Sequence, residues 1–190
     1  MRRALLAASA LCAALACGGR EAPLETLFPV PAFALVDQDG NAFGSEQLRG
    51  RVWIASFLFT SCTTVCPTFT SQLANLSRRL APHGDRVRLV SITVDPDVDT
   101  PARLREYAAR YGADHAAWTF LTGEPQVVRE TLRRSFFQPD PERTDTATGY
   151  DRLHGTGVLL VDREGTCRGI YRSDAPGLDQ LAHDVERLLD

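Results

Sequence analysis

Two cysteines separated by three residues, Cys62 and Cys66, stand where an apolar run, Val52 to Phe59, gives way to a helical pattern. In that pattern Val65, Phe69, Leu73, Leu76 and Leu80 recur at spacings of 4, 4, 3 and 4. A strand feeding a helix start puts thiols beside unpaired backbone N–H groups and the positive end of the helix dipole, both of which favour thiolate over thiol. Four-residue spacing on helical geometry would set both sulfurs on one side, one turn apart. Such a pair can close a disulfide or chelate one soft metal ion. A purely structural bridge over three intervening residues would restrain little chain entropy. Two thiolates suit Cu(I) or Zn(II), and an added imidazole completes a set that fits three-coordinate Cu(I); structural zinc normally takes a fourth protein ligand.

The chain has four histidines. His83 lies beside the helix stop Gly84, His115 in a polar turn and His183 on the outer side of the last helix, and these three read as solvated surface. His154 differs, because it closes a long polar segment just before the apolar strand Gly157 to Val161. Among the remaining cysteines, Cys167 falls within a predicted strand and reads as a small buried hydrophobe. Asp95, Asp97 and Asp99, set among prolines and threonine, read as a strand-to-helix loop with capping and not as a hard-metal site.

The elements that must position these groups follow from periodicity. Phe33 and Leu35 with Phe43 around Asp39-Gly40 predict a hairpin; Val52–Phe59 and Val87–Val94 predict covered strands. Thr100 is the expected N-cap and Pro101 the first residue of a helix carrying Leu104, Tyr107, Ala108 and Tyr111 on one face. A short strand at Trp118–Leu121 and a helix from Glu124 to Phe137 follow, then a polar insertion loop from Gln138 to Tyr150. Strands at Gly157–Val161 and Thr166–Arg172 flank a turn, and a closing helix carries Leu178, Leu181, Val185 and Leu189. A parallel first half finished by a hairpin and helix is the thioredoxin-like order, an α/β fold with an N-terminal β-hairpin extension and an insertion loop before the His154-bearing strand.

At 190 residues with 44% hydrophobic side chains, the chain can bury one proper core. Twenty-one basic and 24 acidic residues are mixed along the sequence without a basic block, which argues against nucleic acid as a partner. Arg2 and Arg3 precede the uncharged stretch Ala4–Ala16, 13 residues against the roughly 20 that span a membrane. Residues 1–16 therefore read as a signal peptide, and Ala16-Cys17-Gly18 resembles the site at which bacterial lipoproteins are cleaved and lipidated at the cysteine. Cleavage there removes two arginines and leaves 19 basic against 24 acidic residues, formally −5. Residues 17–31, with Pro23, Pro29 and Pro31, read as a tether and 32–190 as the domain. Export puts the cysteine pair where thiols are not kept reduced by default.

Three segments together resemble the Sco/SenC family. Phe57-Leu58-Phe59-Thr60-Ser61-Cys62-Thr63-Thr64-Val65-Cys66-Pro67 is similar to its C-x3-C-P element, and Val90-Ser91-Ile92-Thr93-Val94-Asp95-Pro96-Asp97-Val98-Asp99-Thr100-Pro101 to its second hallmark. His154, followed eleven residues later by Gly165, is similar to its pattern of histidine, strand, acidic turn and glycine. The resemblance covers roughly residues 30 to 190. It implies a membrane-tethered, thioredoxin-like domain on the periplasmic or outer face of the cytoplasmic membrane. It also implies that Cys62, Cys66 and His154 bind a copper ion, Cu(I) or Cu(II), received from a donor protein. The expected recipient is the cytochrome c oxidase subunit that carries the CuA centre. Family members commonly carry an aspartate directly before the histidine, whereas here Leu153 stands there and Asp151 lies three residues ahead of His154. The rival reading is a thiol–disulfide reductase in which Cys62, nearer the loop and more exposed, attacks and Cys66 resolves. Ordinary thioredoxin-type exchange uses two intervening residues and a cis-proline, yet no proline lies between Pro141 and Pro176.

Overall fold

The computed structural model describes residues 21–62, 66–139, 143–146, 149–152 and 157–190. Along the chain run β1 (Phe28–Pro29), β2 (Ala34–Asp37), β3 (Ala42–Gly44), β4 (Val52–Leu58), α1 (Cys66–Leu80), β5 (Val87–Thr93) and α2 (Pro101–Arg110). They are followed by β6 (Trp118–Thr122), α3 (Pro125–Phe136), β7 (Arg143–Thr146), β8 (Gly149–Arg152), β9 (Val158–Val161), β10 (Thr166–Tyr171) and α4 (Ala175–Leu189). Eight strands form one sheet in the order β1-β10-β9-β4-β5-β6-β2-β3. The centre is parallel, with Val52 opposite Val87 and Leu58 opposite Thr93, while β9 joins β4 antiparallel through Ala55 and Leu159.

Alternation along β4 sorts the core into two layers. Val52, Ile54 and Leu58 meet side chains of α1, α2 and α4, including Leu73, Leu104 and Leu181. Trp53, Ala55, Phe57 and Phe59 face the other way, onto Val128, Leu132 and Phe136 of α3. Since β4, β5 and β6 succeed one another in one direction across the sheet, right-handed crossovers place α1 and α2 on a common face. Ser56 and Ser91, register partners at the sheet centre, pair through their hydroxyls at 2.7 Å, and the Trp118 indole N–H donates to Ser91 at 2.9 Å. Each buried polar group in that trio thus keeps a partner.

Local signals agree with the sequence at most boundaries. Thr100 caps α2 by accepting the Arg103 N–H, and Glu124 does the same for α3 with the Val127 N–H. The segment from Gln138 to Tyr150 is not simply a loop. It holds β7 and the start of β8, which continues to Arg152; the two strands pair antiparallel, with Thr144 opposite Asp151 and Asp145 opposite Tyr150. Thr144 and Asp145 are both exposed, so no apolar face announces these strands.

The N-terminal segment is laid against the domain from Glu21 onward. The Leu27 N–H donates to the Cys167 carbonyl, and the Arg168 guanidinium donates to the carbonyls of Leu24 and Glu25. Arg187 reaches the Glu21 carboxylate at 2.8 Å and the Ala22 carbonyl.

Candidate metal centre at the cysteine loop

The cysteine loop leaves the carboxyl end of β4, where open α/β sheets place their ligands. Cys62 is 6% exposed and Cys66 is fully buried, both in the core that holds Phe57, Phe59 and Val94. Cys62 is thus the more exposed of the two by only a small margin. A turn closed by the Cys62 N–H on the Phe59 carbonyl, 3.3 Å, bends the chain out of the strand. The Cys66 N–H then points at Cys62 Sγ from 3.4 Å. Cys66 is the first residue of α1, so that N–H is one of the donors a helix start leaves without an intrahelical acceptor. It is placed where negative charge on the Cys62 sulfur is stabilised.

A second loop, between β5 and α2, holds the first in place. Asp99 is fully buried. Its carboxylate accepts the Thr60 N–H at 3.0 Å, the Thr60 hydroxyl at 2.5 Å and the Thr93 hydroxyl at 2.5 Å. Thr60 stands two residues before Cys62, so Asp99 fixes the start of the cysteine loop from 39 residues away. Burial pushes the Asp99 carboxyl above its ordinary value, opposed by hydrogen bonds from Thr60 and Thr93 and reinforced by the charge of Asp95. Thr122 donates its hydroxyl to the Asp99 carbonyl at 2.7 Å, and Arg103 reaches the hydroxyls of Thr60 and Ser61 at 3.4 and 3.3 Å.

Asp95, also fully buried, donates its N–H to the Thr93 hydroxyl at 2.9 Å and accepts the Tyr150 hydroxyl on its carboxylate. The Tyr150 ring stacks on Phe59, centroids 5.9 Å apart and planes 23° from parallel. Burial and the hydrogen bond to Asp95 both push the Tyr150 hydroxyl above its ordinary value. Asp97, by contrast, is half exposed and pairs with Arg129.

The aspartate segment read as a capping loop therefore does more than cap: two of its three carboxylates are buried, and that of Asp99 holds the start of the cysteine loop. The sequence held one usable signal, three carboxylates and two threonines at the end of the strand adjacent to the cysteine strand. Among the described residues no group of three His, Cys, Asp or Glu is arranged to hold a metal. His154 and Cys17 lie outside the described residues.

The other histidines stand away from this pole. His83 is not solvated surface: its side chain is 14% exposed and Nε2 lies 2.8 Å from Glu186, which seats the ring between the turn after α1 and α4. His115 neighbours Gln38 and Asp39, and His183 pairs with Glu21 at the surface. Cys167 is fully buried in β10, where Cys167 Sγ approaches the Gly169 carbonyl at 3.5 Å.

Comparison with known proteins agrees with this architecture. The SCO1/SenC family model matches residues 23–190. The SCO1 protein homolog of Bacillus subtilis is 33% identical over 173 residues, which span 90% of this chain and 88% of that protein. BsSco, described as a member of the Sco family of cytochrome c oxidase assembly proteins with a disulfide switch, superposes with a TM-score of 0.74 at 30% identity. That match covers 87% of this chain and 96% of the other. Bradyrhizobium japonicum ScoI with copper bound gives a TM-score of 0.73 at 26% identity over 84% of this chain and 99% of the other. With its C-x3-C-P element on a thioredoxin-like sheet and a family match over nearly the whole described domain, the chain belongs to the SCO1/SenC family.

Proposed function

We propose that this chain is an extracytoplasmic copper-handling protein in which Cys62, Cys66 and His154 hold one copper ion for delivery to the CuA site of cytochrome c oxidase, or keep the thiols of that site reduced. The observation that carries the reading is the cysteine loop itself. Two sulfurs are held one helix start apart in a water-poor core, with the Cys66 N–H aimed at Cys62 Sγ. Soft sulfur donors in apolar surroundings fit Cu(I), and a single imidazole completes a three-coordinate set. A copper-bound relative with the same fold supports the metal, and the likeness to BsSco, one of the cytochrome c oxidase assembly proteins, supports oxidase assembly. Residues 1–16 act as the export signal, Cys17 carries the lipid that anchors the protein to the membrane, and copper comes from a separate donor protein.

The test is copper stoichiometry and X-ray absorption on the reduced mature chain, with and without His154→Ala. One Cu(I) per chain bound by two sulfurs and one nitrogen is expected, with the nitrogen lost in H154A. If Cu(I) affinity and ligand count are unchanged in H154A while Cys62→Ser and Cys66→Ser abolish function, the copper site in this form is wrong. Thiol–disulfide exchange on target cysteines then takes its place.

A further inference from the structure

We infer that Arg103 is a specificity-determining residue, a cation held at the cysteine loop to receive a partner whose reacting group is flanked by a carboxylate. The inference rests on the reading that Cys62 and Cys66 are the working groups. Arg103 is exposed in the first turn of α2. Its guanidinium reaches the hydroxyls of Thr60 at 3.4 Å and Ser61 at 3.3 Å, the two residues directly before Cys62. Among the described residues it meets no carboxylate. Other arginines at the surface do: Arg129 pairs with Asp97, Arg105 with Asp39 and Arg172 with Asp174.

The acids near Arg103 are engaged elsewhere. Asp99 turns inward, its carboxylate taken by the Thr60 N–H and by the Thr60 and Thr93 hydroxyls. The Thr60 hydroxyl, donating to Asp99, offers Arg103 only a lone pair. Asp95 is fully buried and accepts the Tyr150 hydroxyl. Glu106 lies one turn farther along α2 from the helix start. Surface residues of the two loops, Ser61, Val98, Thr100, Pro101 and Ala102, carry no charge, and Arg129 neutralises Asp97. Two neutral hydroxyls at the long end of hydrogen-bond range are weaker partners for a guanidinium than a carboxylate, which it binds bidentately. An exposed arginine within an uncharged rim is also a favoured anchor at protein interfaces. The buried charge of Asp99 opposes an anion at this spot, so the preference depends on Arg103.

The experiment oxidises the reduced mature chain with three disulfide probes, dianionic dithiobis(nitrobenzoate), neutral dithiodipyridine and dicationic cystamine, with rates read by mass spectrometry. In each case the Cys62 thiolate bonds to one probe sulfur as the probe S–S bond breaks, and the other half leaves as a thiolate with the bonding pair. Cys66 then displaces the second half and its proton passes to solvent. The probe, as oxidant, ends as two thiols and the pair as a disulfide. At low ionic strength Arg103→Gln should slow the dianion about fivefold, change the neutral probe by less than about twofold and speed cystamine. Arg103→Lys should keep most of the parent preference and Arg103→Glu should widen the shift, while about 1 M salt should erase the differences. The neutral probe separates this role from a structural one, because a displaced loop or an altered thiol changes all three rates together. Equal changes for the three probes would overturn the inference, as would a dianion rate that R103Q leaves intact. If Cys62→Ser and Cys66→Ser both leave the parent's probe rates unchanged, the reading of the pair as the working groups falls, and the role of Arg103 falls with it.

Discussion

Cys62 and Cys66 on one side and Cys167 on the other share a single hydrophobic core, yet they are set in opposite chemical surroundings. Exposure does not separate them, at 6%, 0% and 0%. The backbone does. Cys62 Sγ receives an N–H from a helix start, within a loop that leaves the sheet, whereas Cys167 lies in a paired strand and directs its S–H toward a carbonyl. Burial pushes the Cys167 thiol up, and the charge of Asp162 adds to the effect. The lesson is that burial alone does not silence a thiol; which end of the peptide dipole it meets decides whether the sulfur is kept as a neutral filler or prepared as a ligand.

The sharpest way to break this comparison is by deletion of each sulfur. Cys62→Ser and Cys66→Ser should each weaken Cu(I) binding by more than about a hundredfold, the upper range for loss of a group that merely supports a ligand. Cys167→Ala should leave affinity within about twofold and cost on the order of 1 kcal/mol of stability. Chelator competition and urea unfolding measure the two quantities. A large loss of affinity in C167A would mean that the β10 sulfur communicates with the site.

The loop contrast extends to the aspartates. Asp99→Asn leaves three buried donors facing a group that can no longer accept all of them, and about 2 to 3 kcal/mol of destabilisation is expected in urea unfolding. Asp97→Asn, which breaks only the half-exposed pair with Arg129, should cost under about 1 kcal/mol. Asp99 also has a signed pH dependence. Its folded carboxyl holds its proton to higher pH than the unfolded one. Stability should therefore fall as pH rises from about 3.9 through the raised folded value, and D99N should remove that component. Equal costs for D99N and D97N would show that the β5–α2 loop does not hold the cysteine loop through Asp99.

Reactivity gives a third and smaller separation. On folded, reduced protein, iodoacetamide should label the Cys62/Cys66 pair about tenfold faster than Cys167, followed by peptide mass mapping. Comparable rates would place the difference between the sulfurs elsewhere than in their backbone partners.

Much of this arrangement was legible in the residues. The alternation of Val52, Ile54 and Leu58 against Trp53, Ala55 and Phe57, the Thr100-Pro101 helix start and the apolar spacing from Phe69 to Leu80 each encode an element locally, and each is observed. What escaped was encoded at a distance. The tie from Asp99 to Thr60 spans 39 residues and that from Tyr150 to Asp95 spans 55, so neither leaves a periodic trace. The β7–β8 hairpin escaped because it is polar on both faces and takes its anchor from one tyrosine. His83 was misplaced for the same reason: Glu186, 103 residues away, draws it under α4.

The face of the sheet covered by α4 supplies the mildest test of the comparison, because there a buried carboxylate is held by side chains of β10 and α4. Asp184 on α4 is 4% exposed and accepts from the Tyr171 hydroxyl at 2.8 Å, the Gln180 amide at 3.1 Å and the Arg187 guanidinium at 2.6 Å. Burial alone would raise its pKa, yet hydrogen bonds from Gln180, Arg187 and Tyr171 hold it below the ordinary value, the reverse of Asp99. A carboxyl depressed in the folded state stabilises above its unfolded pKa of about 3.9 and loses that contribution as pH falls through the folded value. Asp184→Asn should thus cost about 1 kcal/mol at neutral pH, with the difference from the parent shrinking on acidification below pH 4. Because Arg187 also binds Glu21 and the Ala22 carbonyl, the same variant should quicken hydrogen exchange in residues 21–27 while leaving Cu(I) affinity unchanged. A loss of copper affinity in D184N would show that α4 and the cysteine loop are coupled, and that the separation of the two buried carboxylates drawn from their partners is too simple.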